Sequence, residues 1–318
     1  MPPVAFDQVM PLAAGPIAMR ATDVSVDLGD RTVNVESEVA PRLLGMCNGR
    51  RTVAELVDSF GDGARDILLA MIEAEALVDA ADAWKILHRQ SSAGTVLGRP
   101  ISALELPELL RPSFSPTLEG DVRVAGVELP SRVVELARDR HSTRLDEPPR
   151  PPEFDELLTV LSALYSFADS NGHGTHASAG GLYPLVTHVV VRHQVGPLGP
   201  GLWWHDPRER CLRPAAIGDD VQSIGDLFVD IPSTAELLER GGPIIFVSAD
   251  IDRPSRKYGT RGYRFALIEA GSALQSAALA ATELGVPLRA VGGIDDSAVH
   301  RYLALPERAV CLLAIVLG

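Results

Sequence analysis

Cysteine is scarce in this chain: three in 318 residues, Cys47, Cys211 and Cys311. They stand far apart and match neither a disulfide framework nor the paired spacing of a zinc site. Basic charge is short as well. Against 42 acidic residues there are 29 Lys and Arg, a net charge of −13. A nucleic-acid binder would need a basic face, so nucleic acid is not an expected partner. No apolar run reaches the roughly eighteen residues of a membrane span, so no membrane is expected either. The start, MPPVAFDQVMPLAAGPIAMR, has no basic segment ahead of its apolar residues, as a secretory signal would. These absences together predict a soluble, cytoplasmic protein.

Apolar residues make up 46% of the chain, enough for a large core, and the length suits two domains or one with an appendage. Asp23 to Val35 alternates apolar and polar residues around Gly29-Asp30 and reads as a β-hairpin. Helices are predicted over 39–46, 52–60 and 64–76. Thr52 is the N-cap of the second, and Glu55 completes a capping box. Leu77-Val78 begins a short strand. A hairpin with three short helices is the parts list of a winged-helix module, assigned to residues 1–85. Residues 86–130 lack a clear period and read as a linker, with a short helix in LGRPISALELPELL.

The second domain, residues 131–318, opens with a helix at 131–137 and then Arg140-His141-Ser142-Thr143-Arg144. Two arginines four apart with a hydroxyl between them can close on one phosphate; a solvated basic turn at a helix end is the plainer alternative. A helix follows over 151–167. Ser178-Ala179-Gly180-Gly181 is a loop whose backbone can approach a ligand closely. Strands are predicted at 187–191, on either side of a tight turn within GLWWHDPRERCLRP, at 243–249 and at 310–317. Between the last two lies a helix from about Arg264 to Leu284, apolar or small on nearly every face and therefore expected to be buried. Gly285 and Pro287 stop it. Glu269 and Gln275 are polar in that setting and need partners. His173 and His176 lack a third metal ligand, Trp203-Trp204 reads as strand packing, and Asp295-Asp296 as a helix cap.

Six motifs follow one another in order: R-H-S-T-R, S-A-G-G-L-Y-P, G-P-G-L-W-W-H-D-P, K-Y-G-T-R-G-Y-R, E-A-G-S-A-L-Q and V-G-G-I-D-D. This series resembles the SagB-type branch of the nitroreductase superfamily, flavin enzymes that oxidise azolines to azoles. The N-terminal stretch LLGMCNGRRTVAELVDSFGDGARDILLAMIEAEALVDA is similar to PqqD-like domains that recognise leader peptides in ribosomal peptide modification. The first resemblance covers about residues 138–318.

The resemblance implies an α+β fold: a mainly antiparallel sheet flanked by helices, a central buried helix, and an FMN site at the interface of a homodimer. It assigns Arg140, Ser142 and Arg144 to the FMN phosphate and ribityl chain. Ser178, Ala179 and Gly180 would lie beside the isoalloxazine, Gln275 on the helix next to it, and Gly292 and Gly293 in a loop packing by ring or phosphate. Lys257 and Tyr258 would be the acid/base pair. The chain departs from the family where P-S-x-G is usual and Ala177-Ser178 stands instead, and where Ser272 replaces a frequent histidine.

The expected function is oxidation of thiazolines or oxazolines to thiazoles or oxazoles in a ribosomally made precursor peptide. The N-terminal domain would grip the leader or dock a cyclodehydratase. Two alternatives stand beside it: a flavin oxidase acting on a carrier-bound nonribosomal intermediate, and a flavin-free scaffold in a peptide-modification complex.

Overall fold

The computed structural model describes residues 6–9, 11–13, 17–19, 23–27, 32–84, 88, 131–167, 172–218, 223–229 and 232–318. The Gly29-Asp30 turn, most of the predicted linker and the short helix within it lie outside these residues.

The N-terminal unit is a three-stranded antiparallel sheet packed on three helices. In chain order its elements are β1 (Pro11–Ala13), β2 (Ile17–Met19), β3 (Asp23–Asp27), β4 (Thr32–Glu36), α1 (Ala40–Gly45), α2 (Val53–Phe60), α3 (Gly63–Glu73) and β5 (Leu77–Asp79). The predicted hairpin is β3–β4, with Asp23 opposite Glu36 and Asp27 opposite Thr32. Strand β2 adds to β3, and β1 pairs separately with β5. Alternation in β3 turns Val24 and Val26 onto Leu43, Leu56, Leu68 and Met71 of the helices. The capping box forms as expected. Thr52 Oγ1 accepts from Glu55 N at 3.3 Å, and the Glu55 carboxylate accepts from Thr52 N at 2.8 Å.

The C-terminal unit is built on one six-stranded, fully antiparallel sheet of order β10-β11-β9-β6-β7-β8. The strands are β6 (Leu185–Val191), β7 (Gly201–Asp206), β8 (Cys211–Pro214), β9 (Ile244–Asp250), β10 (Leu288–Val291) and β11 (Ala309–Leu317). The helices are α4 (Arg132–Asp139), α5 (Phe154–Leu164), α6 (Pro232–Glu239), α7 (Asp252–Tyr258), α8 (Arg261–Leu284) and α9 (Asp296–Tyr302). Strands β6, β9 and β11 are buried on both faces, which is why they read as near-continuous apolar runs. One face carries α5 and α8 through Val189, Val191, Ile245 and Val247. The other carries α6 and α9 through Val190, Ile244, Phe246 and Val316. Asp295 caps α9, its carboxylate accepting from Ala298 N at 2.8 Å.

Helix α8 corrects one expectation. Ala266, Ala270, Ala273, Ala277 and Ala281 recur every three or four residues and are buried, so small side chains bring the helix close to its neighbours. The opposite stripe, Arg264, Leu267, Ile268, Gly271 and Gln275, is exposed, with Ile268 at 63%. An apolar sequence all round therefore gives burial on one side only in a single chain. The helix is long and apolar enough to cross a membrane by composition. Its alanine ridge instead belongs to the core shared with α5 and the sheet.

Two buried histidines in the sheet make stability depend on acid. His205 faces Thr187 and His188 faces Trp204 across β6–β7. Both rings are buried, and neither Nδ1 has a hydrogen-bond partner among the described residues. Burial disfavours the imidazolium and pushes each down to about 4, with the Asp206 charge opposing this weakly at His205. The unfolded chain, near 6.5, then binds protons more readily than the folded one. The stabilisation is complete above about pH 6.5 and is lost as pH falls through 4. Each histidine should cost about 2 kcal/mol by roughly pH 4.5. Urea midpoints measured across that window should fall for the wild type and fall less for His205→Gln.

Candidate active site

The loop from Gly174 to Pro184 is fixed from below by a buried polar chain. His176 and Glu269 are almost fully buried, with Nε2 3.1 Å from Glu269 Oε1. His176 Nδ1 lies 3.0 Å from Leu164 O, the last residue of α5, and donates to it because a carbonyl can only accept. Ser178 Oγ donates to Glu269 Oε2 at 2.7 Å and accepts from Tyr183 N at 2.8 Å. Tyr183, whose φ is +46, accepts at its hydroxyl from Gly174 N at 2.7 Å. Rings of Tyr165, Phe167, His176 and Tyr183 pack together around this chain. The buried carboxylate of α8, Glu269, thus sets the path of a loop that begins some ninety residues earlier.

That loop presents Gly180 to the end of α7. Gly180 has φ +65, and a Cβ there would stand 2.5 Å from Tyr258 Oη and 2.7 Å from Lys257 Nζ. Two polar ends therefore lie within roughly 5 Å of each other, over a backbone that leaves them room only because residue 180 is glycine. Lys257 Nζ sits 5.3 Å from the centre of the Tyr258 ring, and Phe265 of α8 meets the same ring edge-on at 4.9 Å. Lys257 is exposed and Tyr258 half-buried. An amine beside a phenol, open to solvent, can accept and pass a proton. Ser178, Ala179, Gly180, Lys257 and Tyr258 form one cluster.

A second cluster lies beside β10. Thr143 N donates to Leu288 O at 3.0 Å, and Arg289 Nη1 reaches Thr143 O at 3.4 Å. Thr143 points inward, its Oγ1 buried without a hydrogen-bond partner among the described residues, while Ser142 and Arg144 face solvent. Arg240 Nη2 gathers the carbonyls of Arg144, Leu145 and Glu147 at 2.7–2.9 Å and so closes the turn after the motif. Arg140 has no side-chain hydrogen bond or ion pair among the described residues. Arg144 forks onto Asp146 at 3.1 and 3.0 Å, both side chains exposed. Gly292, at the end of β10, has open space above it, and Gly293 O accepts from Val229 N at 3.0 Å. Arg140 and Arg289 thus bring positive charge to the segment that carries Ser142 and to the strand that ends at Gly292, while Arg144 is neutralised by Asp146.

Among the described residues no hydrogen bond or ion pair joins the two clusters. Helix α8 runs between them: Glu269 lies under the first, and Glu283 pairs with Arg132 at the start of α4, which leads into the second. Fourteen residues of helix make about 21 Å. Gln275 lies in that interval on the exposed stripe, beside Gly271. Arg240 and Arg289 are contributors that the sequence did not single out, and His176 figures there only as a candidate metal ligand. Glu269 and Gln275, polar in an apolar helix, signalled a need for partners, and Glu269 meets its own in His176 and Ser178.

A family model for the nitroreductase family matches residues 137–318, more than half of the chain. The chain belongs to the nitroreductase family. Among curated relatives, it is 42% identical to the microcin B17-processing protein McbC of Escherichia coli over 225 residues, 68% of this chain and 78% of that one. A Methanocaldococcus jannaschii protein described as a nitroreductase is 28% identical over 170 residues, 52% of this chain and 81% of its own. A structure of the E. coli microcin synthetase McbBCD complex, with truncated pro-MccB17 bound, superposes with a TM-score of 0.59 at 20% identity. That match covers 78% of this chain and 96% of the other, and shows a shared fold. The nitroreductase-like α+β architecture expected from the motifs is therefore present.

Proposed function

We propose that this nitroreductase-family protein is an FMN-dependent dehydrogenase that oxidises azolines in a peptide to azoles. The observation that carries the reading is the convergence of Gly180, Lys257 and Tyr258 at one point of the loop–α7 junction. The likeness to McbC, whose name records microcin B17 processing, supports a peptide made by ribosomes as substrate.

Across the proposed homodimer, where one protomer's first cluster would face its partner's second, the donor set would suit a phosphate-bearing flavin. Arg140, Ser142, Arg144 and Arg289 would hold the phosphate end; Gln275, Gly271 and the Ser178–Gly180 loop would flank the flat ring. Bound there, FMN supplies a two-electron acceptor for the hydride lost from one ring carbon of the azoline. The protein handles the proton lost from the other carbon: Lys257 Nζ accepts it, and Tyr258 Oη orients the ring or relays the proton. The exposed stripe Leu267, Ile268 and Gly271 on α8 supports a homodimer that covers it. The N-terminal unit, residues 1–85, would recognise the leader peptide or dock a cyclodehydratase, and the working location would be the cytoplasm.

The test is an absorbance spectrum of the purified protein beside Lys257→Ala. Wild type should show oxidised flavin. The variant should keep its flavin and lose azoline oxidation by about 100-fold or more, the usual contribution of a positioned base. A colourless wild type that cannot be reconstituted with FMN would leave the scaffold alternative standing.

A further inference from the structure

An open cleft of about 690 Å³ adjoins Lys257, lined by Leu182, Asp250, Asp252, Arg253, Arg256, Lys257 and Arg308. Four of its seven lining residues are cationic, in a chain whose net charge is −13. Of its two carboxylates, only Asp250 is ion-paired among the described residues of the cleft, and it neutralises Arg308. Asp250 is engaged by Arg308, Nε to Oδ2 at 3.1 Å, and Asp252 lies in the first turn of α7. Arg253 spends its hydrogen bonds on neutral carbonyls, Nη1 to Tyr183 O at 2.6 Å and to Leu182 O at 3.3 Å, so its charge is uncompensated. Arg256 and Lys257, both exposed, have no carboxylate partner among the described residues.

We propose that this cleft is a binding subsite for a carboxylate carried by the peptide substrate, held chiefly by Arg256 with Arg253 one helical turn away. The inference rests on the proposed function for its place in the reaction: Lys257 belongs to both the cleft and the catalytic cluster. A residue seated in the cleft is therefore a near neighbour of the ring being oxidised. Guanidinium groups suit the task because they present paired donors to a carboxylate and stay charged at every working pH. The remaining surface is predominantly acidic and repels such a ligand, so the cleft also selects by contrast. The carboxylate has two sources, an acidic side chain or the peptide's own C-terminus.

Fluorescence anisotropy distinguishes them without turnover. Three fluorescein-labelled octapeptides are compared on the purified full chain: one with two glutamates and an amidated C-terminus, the same peptide with glutamines, and the glutamine peptide with a free C-terminal carboxylate. The glutamate peptide should bind about 10-fold or more tightly than its amidated glutamine counterpart, a difference that shrinks as salt rises from about 0.05 to about 0.5 M. Tight binding of the third peptide alone would assign the site to a C-terminus, and equal strength in the first and third would show that either carboxylate is held. Arg256→Glu should remove the preference, while Arg213→Glu, the same charge change on β8, should leave it intact. Binding that ignores the glutamates and the free C-terminus alike, or that falls equally in both variants, overturns the proposal. Because the readout is binding, a colourless protein that still prefers the glutamate peptide would refute the flavin chemistry and leave the subsite standing.

Discussion

Gly180→Ala should abolish most of the proposed oxidation while leaving the protein folded. The added Cβ would lie 2.5 Å from Tyr258 Oη and 2.7 Å from Lys257 Nζ, both inside contact distance. The left-handed φ of +65 adds a backbone cost of about 1–2 kcal/mol. Since both opposing atoms are the ends of flexible side chains, they yield by moving rather than by unfolding the loop. A displacement of about 1 Å at a proton-transfer centre costs on the order of 100-fold in rate. Gly181→Ala is the matched control. It has the same φ of +65, but nothing stands within 4 Å of its Cβ position. Both variants should lose a similar, small amount of thermal stability, and only the first should lose turnover. If the two lose turnover equally, backbone strain rather than contact with Lys257 and Tyr258 governs the site.

This pairing marks where sequence reading succeeds and where it stops. The strands β6, β9 and β11, the capping box at Thr52 and the αL stop at Gly285 were legible because each rests on a local rule: apolar runs, a side chain bonding its own helix, a residue free of Cβ. The S-A-G-G and K-Y motifs could be assigned to one site only through resemblance, since some eighty residues separate them. The close approach of Gly180 to both side chains had no local signal at all. The face of α8 was misread for a related reason. Composition tells how apolar a helix is, but which stripe a single chain covers depends on the alanine ridge meeting α5 and the sheet. His176 was weighed as a metal ligand and set aside, yet its partner lies ninety-three residues on, at Glu269. A buried carboxylate announces that it needs a partner without naming it.

That partnership gives the largest expected effect on stability. Leu164 O fixes the proton on His176 Nδ1, and Ser178 donates to Glu269 Oε2, so Nε2 and Oε1 share one proton between them at 3.1 Å. The pair is neutral in sum whichever atom holds that proton. Glu269→Ala strands a buried imidazole and the Ser178 hydroxyl together, and should cost about 3–5 kcal/mol, the range for breaking a buried pair. For a unit of this size that lowers Tm by roughly 10 °C. Glu269→Gln retains each contact, because the amide N–H₂ can donate to Nε2 while its oxygen accepts from Ser178. It should lose no more than about 1 kcal/mol. Thermal melts of the two variants beside wild type decide the matter. If Gln is as harmful as Ala, the carboxylate's charge, not its hydrogen-bond geometry, holds the loop. If Ala costs under about 1 kcal/mol, the pair does not anchor the loop at all. The expected order has a functional consequence: the same carboxylate that stabilises the core holds Ser178, two residues ahead of Gly180. A variant that loses the anchor but still folds should therefore also lose the alignment of Lys257 and Tyr258.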